Sequence, residues 1–159
     1  MKVEALSPAH ERAAFRSGEP ALDRYFRHQA GRDAARSLAA VFVLVLPDGK
    51  IAGYYTLAPA TLLLPDLLGG GERKASRYPP MPVARLNRLV VDTRHRGQGL
   101  GRFLLADALL RVRRSGLDVV AVVAQATGAA GQGFYAHAGL LRFPDRGDRF
   151  FRPMADLRG

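Results

Sequence analysis

The sequence predicts an α/β domain, and three observations predict it. An apolar run, Leu86 and Leu89–Val91, leads through the glycines Gly97, Gly99 and Gly101 into a stretch where Leu100, Leu104, Ala108 and Val112 recur every four residues, as a buried strand, a tight turn and an amphipathic helix would. Further apolar runs at 39–46, 51–58 and 118–124 have strand length and strand composition. Turn and stop signals separate them, Pro47-Asp48-Gly49-Lys50 as a hairpin and Ser115-Gly116 as a helix C-terminus. The 159 residues suit one domain over 1–159, without internal repeat or linker.

In chain order, Met1–Leu6 reads as an edge-like strand that Ser7-Pro8 interrupts. Pro20 suits the first turn of a helix reaching about Arg36, with Leu22, Tyr25, Phe26 and Gln29 on one face and Arg24, Arg27, Arg32 and Arg36 towards the polar side. Ala39–Leu46 and Ile51–Ala58 flank the hairpin turn. Pro59 to Pro82 is a long excursion with five prolines, made basic by Arg73, Lys74 and Arg77, in which Leu62, Leu63, Leu64, Leu67 and Leu68 suggest a short helix. Phe103, Leu105 and Leu109 widen the apolar stripe of the helix opening at Leu100. Asp118–Ala124 is a strand, Ala129–Ala138 a helix that Gly139 stops, and Leu140–Phe143 and Phe150–Met154 are two last strands around a polar turn at Asp145–Arg149.

Charge bounds the partners. Lys and Arg total 24 against 14 Asp and Glu, a net +10. Such an excess points to a polyanion, nucleic acid first, although general solubility and arginines for a coenzyme's phosphates would use the same residues. No cysteine is present, so there is neither a disulfide framework nor a thiol nucleophile. Four scattered histidines do not make a metal site. No run of about 20 apolar residues and no apolar signal core is seen, so a cytoplasmic protein away from membranes is expected.

The strand–glycine turn–helix unit is an anion site in outline. Its glycines let backbone N–H groups approach a ligand, and the helix N-terminus presents unpaired amides and positive dipole. Arg94, Arg96 and Arg102 add charge. The dinucleotide fingerprint fails because Arg102 stands where its last glycine would fall, and no P-loop Gly-Lys-Ser/Thr ending exists. What is present is Arg96-x-x-Gly99-x-Gly101.

That motif, following Leu89-Val90-Val91-Asp92, resembles the pyrophosphate loop of the GNAT N-acetyltransferase superfamily. The element order over nearly the whole chain is similar to that fold. Phe15-x-Ser17-Gly18-x-x-x-Leu22-Asp23-x-Tyr25-Phe26, Gly53-Tyr54-Tyr55-Thr56-Leu57-Ala58, Arg88-Leu89-Val90-Val91-Asp92 and Gly133-Phe134-Tyr135 further resemble the GNAT toxins of bacterial toxin–antitoxin pairs. Two departures stand out: Ser17 replaces a frequent cysteine, and Arg146, Asp148 and Arg149 are untypical. The resemblance implies a mixed, mainly antiparallel sheet of six to seven strands flanked by helices, whose central strands splay into a cleft for acetyl-CoA. It implies transfer of acetyl to the α-amino group of aminoacyl-tRNA, a homodimer, and silencing by a ribbon-helix-helix antitoxin.

It also assigns a site. Arg96, Gly97, Gln98, Gly99, Leu100, Gly101 and Arg102 would grip the pyrophosphate, and the backbone of Leu89, Val90 and Val91 would hold the pantetheine arm and polarise the thioester. Tyr135 would protonate the departing thiolate; a half-buried packing tyrosine is its plainer reading. Arg85 and Arg88, interleaved with apolar residues, are expected to share a face; with Arg73, Lys74 and Arg77 they make either a phosphate-reading surface or, equally, a solvated strand edge. Arg77, Asn87 and Tyr55 are expected on the acceptor side, with sheet packing the plainer reading for at least one of Tyr54 and Tyr55. Asp92, Asn87 and His137 are candidate bases, and none stands out. A missing base favours an acceptor that loses its proton readily: an α-amine titrates near ~7.7, and lower once the adjacent carboxyl is esterified, against ~10.4 for a lysine side chain. Other readings are a GNAT enzyme for a small amine or protein N-terminus, and a non-catalytic acyl-CoA- or nucleic-acid-binding module.

Overall fold

The computed structural model describes residues 1–63, 66, 79–144 and 146–157. Its elements are β1 (Lys2–Ala5), α1 (Pro20–His28), α2 (Ala30–Ala35), β2 (Ala40–Val45), β3 (Ile51–Leu62), β4 (Met81–Val91), α3 (Leu100–Arg114), β5 (Ala121–Gln125), α4 (Gly128–His137), β6 (Leu141–Phe143) and β7 (Arg146–Pro153), with short 3₁₀ turns at Thr93–His95 and Met154–Leu157. Seven strands form one sheet in the order β1-β2-β3-β4-β5-β7-β6. β4 and β5 pair in parallel, while β1–β2, β2–β3, β5–β7 and β6–β7 pair antiparallel. A parallel pair needs a crossover, and α3 is the helix between the two strands. The sheet is thus mixed and mostly antiparallel, as expected.

Contacts divide the chain into two compact units, 1–58 with 87–108 and 59–86 with 109–159. In the first, Phe15, Tyr25, Phe26, Val41, Val43, Ile51, Tyr54 and Val90 pack together. Its centre is aromatic: Phe26 stacks on Tyr54 at 4.3 Å, and Phe15 meets both rings edge-on. The Tyr54 hydroxyl donates to the Leu22 carbonyl at 2.9 Å, so the buried phenol is satisfied. β2 and β3 are joined by the expected hairpin turn, where Lys50 N–H donates to the Asp48 carboxylate and Pro47, Asp48, Gly49 and Lys50 are all exposed. In the second unit, Leu62, Val83, Ala121, Val123 and Phe143 form the core.

Several boundaries differ from the expectation. The helix expected from Pro20 to Arg36 breaks at Gln29, whose φ of −126° is not helical. The last-turn carbonyls there are served by side chains: Arg12 donates to the Phe26 carbonyl at 2.8 Å and Arg32 to that of His28 at 3.0 Å. β3 runs on past Ala58 through Pro59 to Leu62, so Leu62 closes a strand and does not open a helix. Leu64, Leu67 and Leu68 of that helix lie outside the described residues. Pairing with β2 ends at Leu57, leaving β3 one-sided beyond it, a setting that tolerates a proline. Most of the Asp145–Arg149 turn is strand, with Arg149 opposite Gln125 and Arg146 opposite Phe143. On α3, Leu100, Leu104, Leu105, Ala108 and Val112 are buried, but Phe103 is 42% exposed and does not widen the stripe.

Candidate active site

The glycine turn belongs to the first unit. Gly97 and Gly99 have φ of +76° and +78°, a region that L side chains rarely enter, and a Cβ at either would meet open space. Backbone conformation, not crowding, therefore requires glycine at these two positions. Leu100 is buried and anchors the start of α3, while Arg96, Gly97, Gln98, Gly99 and Arg102 are exposed around it. The turn thus presents amides and charge to solvent from a fixed base.

Asp92 provides much of that fixing. Fully buried, it accepts from the Arg16 N–H at 3.0 Å, from the Arg94 N–H at 2.9 Å and from Arg94 Nε and Nη2 at 3.0 and 2.9 Å. Burial alone would raise its pKa, but the bonds from Arg94 and Arg16 more than offset this and hold it far below the usual carboxylate value of 3.8. Asp92 is therefore an anchor, and its expected candidacy as a base is corrected: its lone pairs are taken and it stays ionised. Around it the Phe15–Gly18 segment is sewn to the turn. Thr93 N–H donates to the Arg16 carbonyl at 2.8 Å, and Arg94 reaches the Ala14 carbonyl at 3.1 Å. Arg96 Nη2 donates to the Ser17 carbonyl, so this arginine braces the loop as well as charging it. Arg16 and Arg94 were not expected in this role. The signal was an aspartate ending a strand two residues before an arginine, an Asx-type turn.

β3 approaches β4 closely at Val90, within the stretch expected to line the coenzyme. A Cβ on Gly53 would lie 2.7 Å from the Val90 carbonyl oxygen and 2.8 Å from Leu104 Cδ1. Asp92 N–H donates to the Ala52 carbonyl at 2.8 Å, continuing the pairing of β3 with β4. On its other side β4 pairs with β5 up to Leu86 opposite Ala124. β5 ends one residue later, whereas β4 continues through Leu89, Val90 and Val91.

Tyr55 is fully buried, its ring stacked on Phe42 at 5.2 Å and its hydroxyl bonded to Asp107 at 2.5 Å. This corrects its placement on the acceptor side: it is a packing residue. Arg88 lies over the Tyr25 ring at 3.5 Å, a cation–π contact, and Tyr25 in turn bonds Asp33 at 2.9 Å. Arg85 is exposed and pairs opposite Val123. The shared face expected for Arg85 and Arg88 is also corrected, since an interval of three does not return a regular strand to one face. Asn87 is half-buried, and Arg77 lies outside the described residues.

Tyr135 belongs to the second unit, on α4. It is 4% exposed, with its ring 5.2 Å from Phe134 and 5.7 Å from Phe150. Burial pushes its phenol above the ordinary 10.0. His137, two residues on, is exposed. Among the described residues no group of three or more His, Asp or Glu could hold a metal ion, and no helix is long and apolar enough to cross a membrane.

Comparison with known proteins agrees on one family. Residues 3–140 match the model of the acetyltransferase (GNAT) family. The chain is 34% identical over 134 residues to the tRNA-acetylating toxin of Mycobacterium tuberculosis (strain ATCC 25618 / H37Rv), covering 83% of this chain and 79% of that protein. Among solved structures it is similar to AtaT complexed with acetyl-methionyl-tRNAfMet, with a TM-score of 0.84 and 22% identity over 98% of this chain and 96% of that one. It is also similar to a tyrosine-to-phenylalanine mutant of the AtaT toxin bound to the C-terminus of the antitoxin AtaR and acetyl-CoA, with a TM-score of 0.82 and 22% identity over 98% and 94% of the two chains.

Proposed function

The chain belongs to the acetyltransferase (GNAT) family and is an acetyl-CoA-dependent N-acetyltransferase; on that premise we propose that its acceptor is the α-amino group of an aminoacyl-tRNA. The observation that carries this reading is the 34% identity to a tRNA-acetylating toxin over most of both chains. The net charge of +10 supports it, because a polyphosphate acceptor is drawn to such a surface. So does the loss of Asp92 as a candidate base. Where no side chain acts as base, the acceptor amine must shed its proton unaided, which an α-amine near ~7.7 does far better than a lysine side chain. Esterification of the neighbouring carboxyl withdraws electrons and lowers the amine's pKa further.

In this reading the amides at Gly97–Arg102 hold the pyrophosphate, and the N–H groups of Leu89–Val91 line the pantetheine and polarise the thioester carbonyl. The amine nitrogen attacks the carbonyl carbon, the C–S bond breaks, Tyr135 gives its phenolic proton to the sulfur, and the amine's surplus proton passes to water. A phenol above 10 is a weak donor to a free thiolate. Burial disfavours both anions, however, so a thiolate forming beside Tyr135 is also a stronger base there than in water. The same reading makes the protein a cytoplasmic toxin that self-associates and is held silent by a ribbon-helix-helix antitoxin.

The test is incubation with labelled acetyl-CoA and total charged tRNA, beside a Tyr135→Phe variant. Label on the aminoacyl end, lost in the variant, is the expected result. Label that goes instead to small amines or to protein N-termini would replace the acceptor.

A further inference from the structure

A cavity of about 530 Å³ opens within the first unit, between the residues that follow β1 and the paired helices α1 and α2. It shares no residue with the glycine turn, and its volume falls in the range of roughly 300–1,000 Å³ typical of ligand sites. Its lining includes Arg12, Arg27 and Arg32 beside His28, and no carboxylate. Among the described residues, only the acid Asp23 reaches one of these arginines, at 3.9 Å from Arg27, the outer limit of an ion pair.

The guanidiniums have a structural duty. Arg12 donates to the carbonyl of Phe26 and Arg32 to that of His28, at the C-terminal end of α1, and Arg27 makes a long 3.4 Å contact with the Phe15 carbonyl. Those bonds orient the groups but use only a minority of the five N–H donors each guanidinium carries. They do not cancel the charge either. A helix C-terminus offers about −0.5 of an elementary charge against three full positive charges. Arg27 Nε is moreover buried without a partner among the described residues, a donor that costs free energy until something accepts from it. A Cβ on Gly31 would sit 3.4 Å from the Arg12 guanidinium, so the small residue leaves that cation its room.

Three arginines in one lining, each with N–H donors to spare, and no acid among the lining residues suit a tetrahedral or planar oxyanion. We infer that this pocket holds a backbone phosphate of the RNA acceptor, at a distance along the chain from the residues assigned to the chemistry. The inference rests on the aminoacyl-tRNA reading. A phosphodiester fits the observations better than an acidic protein segment, because the whole chain carries a net +10 and would gather a polyphosphate along more than one contact.

The test uses the full chain with uncharged tRNA, its affinity measured across a series of salt concentrations for wild type, Arg32→Glu, Arg32→Lys and an Arg113→Glu control. Arg32 and Arg113 are both exposed, so neither reversal should unfold the protein, and unchanged acetyl-CoA affinity checks this. Arg32→Glu should weaken tRNA binding about tenfold and flatten the dependence of log affinity on log salt by about one contact. Arg32→Lys should restore the slope, and Arg113→Glu should leave it alone. An unchanged slope in Arg32→Glu overturns the pocket, and continued acetylation of charged tRNA would then leave the acceptor reading standing. A pocket-dependent slope without any acetyl transfer to charged tRNA would do the reverse. Loss of polyglutamate binding in Arg32→Glu, with tRNA binding intact, would hand the pocket to an acidic protein segment.

Discussion

Two residues carry most of the testable chemistry. Tyr135→Phe keeps the ring against Phe134 and Phe150 and removes only the proton, so kcat should fall by about 10²–10⁴-fold with the KM for acetyl-CoA little changed. Because burial raises the Tyr135 phenol above 10.0, the wild-type rate should climb as the acceptor amine loses its proton and should not decline by pH 10; a pH–rate profile with a descending limb near 9 would remove Tyr135 from the role. Asp92 acts through stability. Asp92→Asn exchanges charge-assisted bonds for weaker ones, with an expected cost of about 1.5–3 kcal/mol in urea melts at pH 7. The sign with pH follows from the depressed carboxyl. The folded state holds Asp92 ionised where the unfolded chain would bind a proton, so this stability is complete above about pH 4 and drains away as pH falls towards the lower folded value. The gap between wild type and Asp92→Asn should therefore narrow in melts at pH 3.

Elements show where local pattern and tertiary context part company. The strand–turn–helix from Leu86 to Val112 was readable because a four-residue apolar period and positive-φ glycines are both local signals. The break of α1 at Gln29 was not, since the arginine that serves the Phe26 carbonyl comes from position 12, outside any local window. Likewise Asp92 looked like a base by residue type, and only the fold brings Arg16, 76 positions away, onto its carboxylate. The polar run at 146–149 read as a turn, yet charged residues beside a short edge strand are ordinary sheet design. α2 ends in a Schellman arrangement, Leu38 N–H to Asp33 carbonyl and Ser37 N–H to Ala34 carbonyl, with Ser37 at φ +57°. That conformation costs a serine about 1–2 kcal/mol, and glycine's extra unfolded-state freedom returns part of it, so Ser37→Gly should raise Tm by about 2 °C. Gly53→Ala should do the opposite, costing about 1–3 kcal/mol through overpacking. It should also weaken acetyl-CoA binding in a coenzyme titration, because the atom in its way is the Val90 carbonyl oxygen.

At the scale of the molecule, the α/β class was legible in the apolar runs and their spacing, while the strand number and the mixed sheet came with the family resemblance carried by Arg96-x-x-Gly99-x-Gly101 and the element order. The gathering of acceptor residues was not legible, because strand parity and burial decide it: Tyr55 turned inward and Arg88 went to an aromatic face. β3, β4 and α3 each contribute residues to both compact units. One cooperative unfolding transition is therefore expected, with far-UV CD and tyrosine fluorescence coincident; two separable transitions would mean that the units fold independently.

The β2–β3 hairpin tip has a practical consequence. Its four residues are exposed, and a Cβ on Gly49 would meet nothing within 4 Å. A short epitope or degradation tag spliced between Asp48 and Gly49 should be carried without loss of fold. For a protein read here as poisonous to the cell that makes it, such a handle would let the experimenter control its lifetime while leaving both chain ends and every proposed site as they are.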